Sequence, residues 1–238
     1  MGNNIYYGKL VLENEVTLKD IVHRLLISFK RFSQNIFLYK RSIGEHIIEK
    51  KLVIKDNTVG IYPASPALVN SEYSEYVYIK LKKGVVIEKD ASIFFYVKAP
   101  ISIALTTSAN NVFDTFTFNE KHALYGTLIR GVLTRYMVSD VHLNKPKTFF
   151  GEALVKIHVI NSFKKAVEVS RIVFPVTGTP VFYKNGDVES WYGEVILKII
   201  DDETAEVMVS ENKPREDLAE SPVKAGSLKK SFTMEWGI

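Results

Sequence analysis

Apolar residues alternate with other residues along most of this chain, and the alternation restricts its fold more than any other feature. In the segment 76–82 every second residue is aliphatic, and the segments 92–98, 152–159 and 194–199 repeat the apolar spacing. A period of two with one apolar face is typical of strands that pack on one side. The sequence therefore predicts a mostly β protein, with an antiparallel β-sandwich architecture.

Turn residues separate the predicted strands. Asn185 and Gly186 form a dipeptide that is typical of a tight β-hairpin. The acidic run 201–203 lies between two strand-like segments, where a hairpin needs Asp-rich turn chemistry. The same carboxylates could form an acid/base pair, but the turn is the interpretation that the surrounding strands favour.

The length of 238 residues allows one large β domain or two of ordinary size. A cluster of small and polar residues at 108–111 predicts a boundary there. We expect an N-terminal β-rich half at 1–108, a C-terminal β-sandwich half at 109–212 and an extended tail at 213–238. A single sandwich built from both halves stays open. The tail is expected to make few contacts before its alternating apolar anchor, Phe232, Met234, Trp236 and Ile238.

One segment departs from the alternation. Between Thr17 and Phe32 apolar residues recur at helical spacing, and Thr17 with Asp20 resembles a helix cap. The sequence predicts at most a short helix at 17–24 and strands after it. A strand hairpin through 25–41 fits the same residues.

Composition excludes several classes of function. The chain has no cysteine, which removes disulfides, thiolate metal sites and thiol catalysis. It has neither a secretory signal nor an apolar run of about 18 residues, so we expect a cytoplasmic protein without a membrane span. Its single glutamine and absent cysteine resemble thermophilic usage. A net charge of +4 and scattered basic doublets argue against a nucleic-acid partner, since such charges commonly guard strand edges.

Short motifs between Ile87 and His142, and again after Val169, resemble an archaeal family of uncharacterised β-rich proteins that is classed as a domain of unknown function. The resemblance implies an archaeal source and a β-rich fold. It implies no activity, no cofactor and no catalytic residue. The segments that carry it are Tyr96, Pro100-Ile101, Phe116, 123–126, 130–132, Arg135-Tyr136, 169–174 and 202–206.

The sequence offers one weak candidate for a metal site. Asp140 and His142 would share a strand face, and His122 or Glu152 could complete a zinc or iron site. Nothing in the spacing requires a metal, and surface or hydrogen-bonded histidines are the favoured interpretation. The motifs of phosphate loops, nucleophile elbows and zinc proteases are absent from the chain. We therefore expect no cofactor.

Two strand-like segments carry aromatic and basic residues on one face. If they pair, the face could stack bases or sugars. Alternatively, another part of the protein or a second subunit covers it, because an exposed aromatic patch of that size is costly. The residues are Tyr76, Tyr78, Phe94 and Tyr96, interleaved with Lys80, Lys82 and Lys98.

The segment 125–136 is the most distinctive candidate site. Gly126 and Gly131 bracket Arg130, which indicates unusual backbone angles or a close approach. Arg135 and Arg171 lie among apolar neighbours, where an unpaired charge is costly. Either carboxylates such as Glu152, Glu168 or Asp140 pair with these arginines, or the arginines hold an anionic ligand. The candidate residues are Tyr125, Arg130, Arg135, Tyr136 and Arg171.

Three functions follow from these observations. The leading hypothesis is a non-catalytic module that binds a protein partner or itself. The alternative is an enzyme or binding protein that holds an anionic small molecule through the arginines. The third is a protein that binds single-stranded nucleic acid on the aromatic and basic face.

Overall fold

The computed structural model describes residues 3–68, 75–108, 110–226 and 231–238. Among the described residues 58% lie in strands and 1% in helix, so the prediction of a mostly β protein is confirmed. The sandwich architecture stays a prediction. Ala109, at the predicted boundary, and residues 227–230, in the predicted tail, lie outside the described residues.

The described residues form 21 strands and one 3₁₀ turn at Pro66–Leu68. The strands up to the predicted boundary are β1 (Asn3–Asn4), β2 (Gly8–Val11), β3 (Glu15–Asp20), β4 (Leu25–Ser33), β5 (Ile36–Ile43), β6 (His46–Val53), β7 (Thr58–Ala64), β8 (Tyr76–Ile87), β9 (Ser92–Pro100) and β10 (Ser102–Thr107). Those after it are β11 (Val112–Phe116), β12 (His122–Tyr125), β13 (Val132–Ser139), β14 (Glu152–Asn161), β15 (Val167–Pro175), β16 (Val181–Tyr183), β17 (Ser190–Tyr192), β18 (Val195–Ile199), β19 (Ala205–Val209), β20 (Ala219–Glu220) and β21 (Ser231–Met234).

The first sheet contains the segment for which a helix was predicted. Its order is β1-β3-β4-β5-β6, with antiparallel hairpins from β3 to β6. The short helix that the sequence allowed at 17–24 does not form, and the alternative strand hairpin is found instead. Ile21 and Val22 are 87% and 61% exposed in the β3–β4 turn, so the apolar residues at helical spacing do not share one buried face. Asp20 accepts a hydrogen bond from the Val22 backbone and therefore caps this turn.

The other sheets join strands that lie far apart in the chain. The second sheet has the order β11-β10-β7-β2, and the third has the order β12-β13-β8-β15. In the fourth sheet the order is β20-β16-β17-β14-β18-β19-β21, and β9 also pairs with β14. Strands from both sides of residue 108 thus share the second, third and fourth sheets, as in the single unit that the sequence left open. The division at 108 stays a prediction.

The two strands of the predicted aromatic and basic face belong to different sheets. β8 lies between β13 and β15, whereas β9 is antiparallel to β14. Tyr76 and Tyr78 pack against Phe232 and Tyr125. Phe94 instead stacks on His158, with ring centroids 3.9 Å apart. The pairing on which that face depended is therefore wrong, because each strand has a partner more distant in sequence.

Alternation predicted the buried side of the central strands correctly. The apolar side chains at alternate positions of β8, β9, β14 and β18 belong to one continuous core. A smaller core lies on the other side of the fourth sheet, formed by Leu154, Phe182, Trp191 and Leu218. Both faces of β14 are therefore covered along part of its length.

A buried charged cluster ties the first sheet to the second. Asp114 of β11 accepts a hydrogen bond from Arg41 Nε at 2.7 Å and from the Tyr39 hydroxyl at 2.5 Å. Burial alone would lower the pKa of the Arg41 guanidinium, but the hydrogen bond and charge of Asp114 outweigh it and raise the pKa. The two sheets are therefore held by a buried ion pair whose donors and acceptors are matched.

The tail makes contacts earlier than the sequence predicted. β20 pairs with β16, and Leu218, Val223 and Ala225 are buried before the chain reaches β21. β21 then pairs with β19 and buries Met234. The expectation of few contacts before Phe232 is wrong, because the polar composition of this segment concealed separate apolar anchors.

Candidate functional site

The candidate arginines lie in different surroundings. Arg130 is exposed in the loop between β12 and β13, and Arg135 of β13 is buried. Arg171 of β15 is half-buried beside the end of the chain. Arg135 and Arg171 have different hydrogen-bond partners, so the structure does not bring these two groups to one contact.

Arg135 fixes the loop 117–121. Its Nη1 donates to the backbone carbonyl of Asn119 at 3.1 Å, and the Asn119 side chain donates in turn to the carbonyl of Tyr136. Burial lowers the pKa of the Arg135 guanidinium, and the charge of Glu120 only partly opposes it. The role that this geometry supports is positioning of a loop.

Arg171 and Tyr125 hold the C-terminal segment, residues 235–238. Arg171 Nη1 donates to the carbonyl of Trp236 at 3.2 Å, and the Tyr125 hydroxyl donates to the carbonyl of Gly237 at 3.1 Å. The Trp236 N–H donates back to that hydroxyl at 3.3 Å. The contacts suit recognition of an extended peptide, and the chain's own end occupies them.

Both glycines of the candidate segment meet the sequence expectation. Gly126 has a φ of +106°, and a Cβ there would lie 2.7 Å from the Trp236 ring. A Cβ on Gly131 would lie 2.5 Å from the Thr127 carbonyl oxygen. Gly126 thus shows both the unusual backbone angle and the close approach, and Gly131 shows the close approach.

Tyr136 belongs to a chain of aromatic contacts. Its ring meets Tyr78 edge to face at 5.3 Å, and Tyr78 meets Tyr125 in the same way at 5.9 Å. Such pairs contribute about 0.5–1.5 kcal/mol beyond the area that they bury. Tyr136 therefore connects the C-terminal segment to the cleft described below, which it also lines.

Asp140 and His142 have partners of their own. Asp140 pairs with Lys82 at 2.7 Å, and this hydrogen bond holds the pKa of its carboxyl below the usual value. His142 forms an isolated bridge with Tyr96 through its backbone. In the part of the chain that the structure describes, no group of three or more histidine and carboxylate side chains could hold a metal ion.

A cleft of about 870 Å³ opens between the first sheet and the loops beyond it. The β3–β4 turn contributes His23, and the start of β6 contributes His46. His23 Nδ1 lies 2.6 Å from an Asp20 carboxylate oxygen, and its ring stacks on Phe118 with centroids 3.9 Å apart. A carboxylate-oriented imidazole in a cleft can bind a ligand or transfer a proton.

Polar groups also line the far side of the cleft. Glu152 of β14 lies there, paired with Lys98 at 2.9 Å, and Glu120 and Lys121 lie at the loop. The lining charges are therefore mixed in sign. The sequence alone did not identify this cleft, because its histidines come from two turns of the first sheet and its carboxylates from distant segments.

The β12–β13 hairpin exposes a group of aliphatic side chains. Leu128 and Ile129, in its loop, are 95% and 94% exposed. Leu124 and Leu133 pair across the two strands and are 40% and 38% exposed. We call these four residues the hairpin patch. The signal in the sequence was a pair of consecutive aliphatic residues between two glycines, where alternation stops.

Comparison with known proteins assigns the chain to a family. A family model described as "Protein of unknown function (DUF432)" matches residues 6–235. The chain belongs to this family. The resemblance to a domain of unknown function is thereby confirmed, while its archaeal origin stays a prediction. No curated protein and no solved structure matches the chain. Within the described part of this family member, no helix is long and apolar enough to span a membrane.

Proposed function

We propose that this DUF432 protein is a non-catalytic module that associates with a second copy of itself through the hairpin patch. The observation that supports the proposal is the nearly complete exposure of Leu128 and Ile129 at the end of a hairpin. Exposed aliphatic groups of this kind commonly mark protein interfaces. The candidate residues Tyr125, Arg135, Tyr136 and Arg171 then support the hairpin and its surroundings. Tyr125 and Arg171 contact the C-terminal segment, and Arg135 contacts the loop 117–121.

The position of the hairpin favours a second copy as the partner. β12 ends the order of the third sheet in the described residues, so its outer backbone groups are open to pairing. A two-fold axis would set β12 antiparallel to its copy and bring the two patches together. Leu124 would then meet its equivalent across the axis.

Sedimentation velocity over a range of protein concentrations tests the proposal. The wild type should dimerise, and the double variant Leu128→Ser, Ile129→Ser should stay monomeric because it loses the apolar contact. The matched control is Ile21→Ser, Val22→Ser, which removes another exposed aliphatic pair, in the β3–β4 turn. A monomeric wild type, or loss of the dimer in both variants, contradicts the proposal.

The cleft supports a second candidate function, the binding of a small anionic molecule. Its volume of about 870 Å³ suits such a ligand, and His23, His46 and Lys121 could supply hydrogen-bond donors. These groups would replace the arginines as the anion ligands. Titration with inorganic phosphate, followed by the imidazole NMR signals of His23 and His46, tests it. Signals that stay fixed up to millimolar phosphate argue against this function.

A further inference from the structure

The basic doublets of the first sheet come into register, although they are spread along the sequence. Lys30 of β4 and Lys51 of β6 both pair with Leu38 of β5, one from each side. Lys40 lies two positions beyond Leu38 and therefore on the same face. Three neighbouring strands thus present one lysine each to the same side of the sheet.

The other member of each doublet is directed to other partners. Arg41 binds the buried Asp114, and Lys50 donates to the backbone carbonyl of Phe113 at 2.6 Å. Arg31 donates to the carbonyls of Gln34 and Leu12. In each doublet one residue therefore contacts the rest of the structure, and the other lies on the opposite side of the sheet, where Lys40 also pairs with Glu49 of β6 at 2.8 Å.

Exposed apolar side chains lie between and beside these lysines. Val53 pairs with Ile36 at the end of the same face and is 76% exposed. Phe32 is 71% exposed and lies under the ammonium group of Lys51, 5.2 Å from its ring centroid. We call Lys30, Lys40, Lys51, Phe32, Leu38 and Val53 the lysine face. It combines positive charge with aliphatic surface, and Phe32 is its one aromatic ring.

The net charge of the protein is concentrated in this region. Residues 1–57 contain ten of the 31 lysines and arginines and six of the 27 aspartates and glutamates, a net charge of +4. The other 181 residues contain 21 of each and are neutral. The formal net charge of the chain therefore lies in residues 1–57, most of which form the first sheet, and this charge attracts an anionic partner.

We propose that the lysine face binds an acidic, extended segment of a protein partner, which adds a strand beside β6. β6 is an eight-residue strand that ends the order of the first sheet within the described ranges. Lysines on such an edge discourage pairing with another basic strand but favour one in which carboxylates alternate with aliphatic residues. A nucleic acid fits less well, because stacking of bases requires several exposed aromatic rings. The proposal is independent of the hairpin patch.

A labelled peptide in which glutamate alternates with valine serves as the probe, with binding followed by fluorescence anisotropy. The triple variant Lys30→Glu, Lys40→Glu, Lys51→Glu should bind it at least about tenfold more weakly than the wild type. The matched control reverses three exposed lysines of other regions, Lys83→Glu, Lys89→Glu and Lys164→Glu, and should retain most of the affinity. Binding to the wild type should weaken as salt rises.

Several results overturn the proposal. These are equal loss of affinity in the two triple variants, equal binding of a peptide with lysine in place of glutamate, and tighter binding of a single-stranded oligonucleotide than of the acidic peptide. Circular dichroism and thermal melting of each variant confirm that it is folded. The variant Leu128→Ser, Ile129→Ser should bind the peptide like the wild type. Failure of the peptide-binding proposal is therefore distinguishable from failure of the self-association proposal.

Discussion

Arg41 and Arg135 are both buried arginines on strands, yet different hydrogen-bond acceptors offset the free-energy cost of burying their charges. Arg41 meets the carboxylate of Asp114, which raises the pKa of its guanidinium. Arg135 donates to a backbone carbonyl, and burial lowers its pKa. For arginines among apolar neighbours the sequence predicted either carboxylate partners or an anionic ligand. A carboxylate partner is found at Arg41, a residue that apolar alternation did not select.

The difference teaches that a buried arginine can join two sheets or position one loop, depending on its acceptor. A carboxylate compensates the full positive charge of the guanidinium, whereas a backbone carbonyl oxygen carries only a partial negative charge. The Arg41 pair should therefore be the more sensitive to loss of one partner. The four changes below test this contrast, beginning with the largest effect.

Asp114→Ala should have the largest effect, because it leaves Arg41 charged and buried without its carboxylate. We expect a loss of about 3–5 kcal/mol in the free energy of unfolding, measured by urea denaturation. The double variant Arg41→Met, Asp114→Leu should recover most of this loss. If the double variant is as unstable as Asp114→Ala, the ion pair is not the cause.

Arg135→Met should cost less, about 1.5–3 kcal/mol, since it removes one charge-assisted hydrogen bond from the Asn119 carbonyl. Hydrogen exchange should show faster opening of the loop 117–121, with little change in the first sheet. Destabilisation equal to that of Asp114→Ala would remove the contrast between the two arginines.

Glu189 gives a test in which pH replaces mutation. Burial alone would raise the pKa of its carboxyl, but hydrogen bonds from Lys145 and Trp191 and the charge of Arg215 outweigh it and hold the pKa below the usual value. The stability that results is present above the unfolded pKa of about 4.3 and is lost as pH falls through the lower folded pKa. Acid titration should loosen the tail around Arg215 in that window. Glu189→Gln should remove this dependence and lower stability at neutral pH.

Asp140→Asn should have the smallest effect. Asp140 and Lys82 are paired at 2.7 Å, but both side chains are more than half exposed. Exposed pairs contribute little because solvent screens them. We expect an unchanged melting temperature by differential scanning calorimetry. A marked decrease would give this pair a structural role that its exposure does not suggest.

The local sequence pattern predicted which face of each strand is buried, but not which strands pair with each other. Alternation correctly placed Val77 and Phe95 in the core, and the Asn185-Gly186 signal correctly gave the β16–β17 hairpin. The pairing of β9 with β14 depends on contacts between residues about 60 positions apart, which no local spacing encodes. The β3–β4 turn resembled the start of a helix because the Asp20 carboxylate can accept a hydrogen bond from a backbone N–H in either structure.

The candidate site also has features that the sequence predicted and features that it did not. Gly126 and Gly131 were predictable because their neighbours in sequence restrict the backbone. The partners of Arg135 and Arg171 were not, because backbone carbonyls carry no sequence signal and any residue can supply them. The cleft was also hidden, since His23 and Phe118 meet only after the first sheet packs on the rest of the chain.

The separation of β9 and β14 in the sequence also affects how the chain folds during synthesis. When β9 has left the ribosome, the strand that will pair with it has still to be translated. Until then Phe95 and Val97 have no sheet partner to cover them, and a nascent chain in this state is open to aggregation. Chains that end before residue 161 should therefore need chaperones or precipitate, and refolding of the whole protein should be slow for its size.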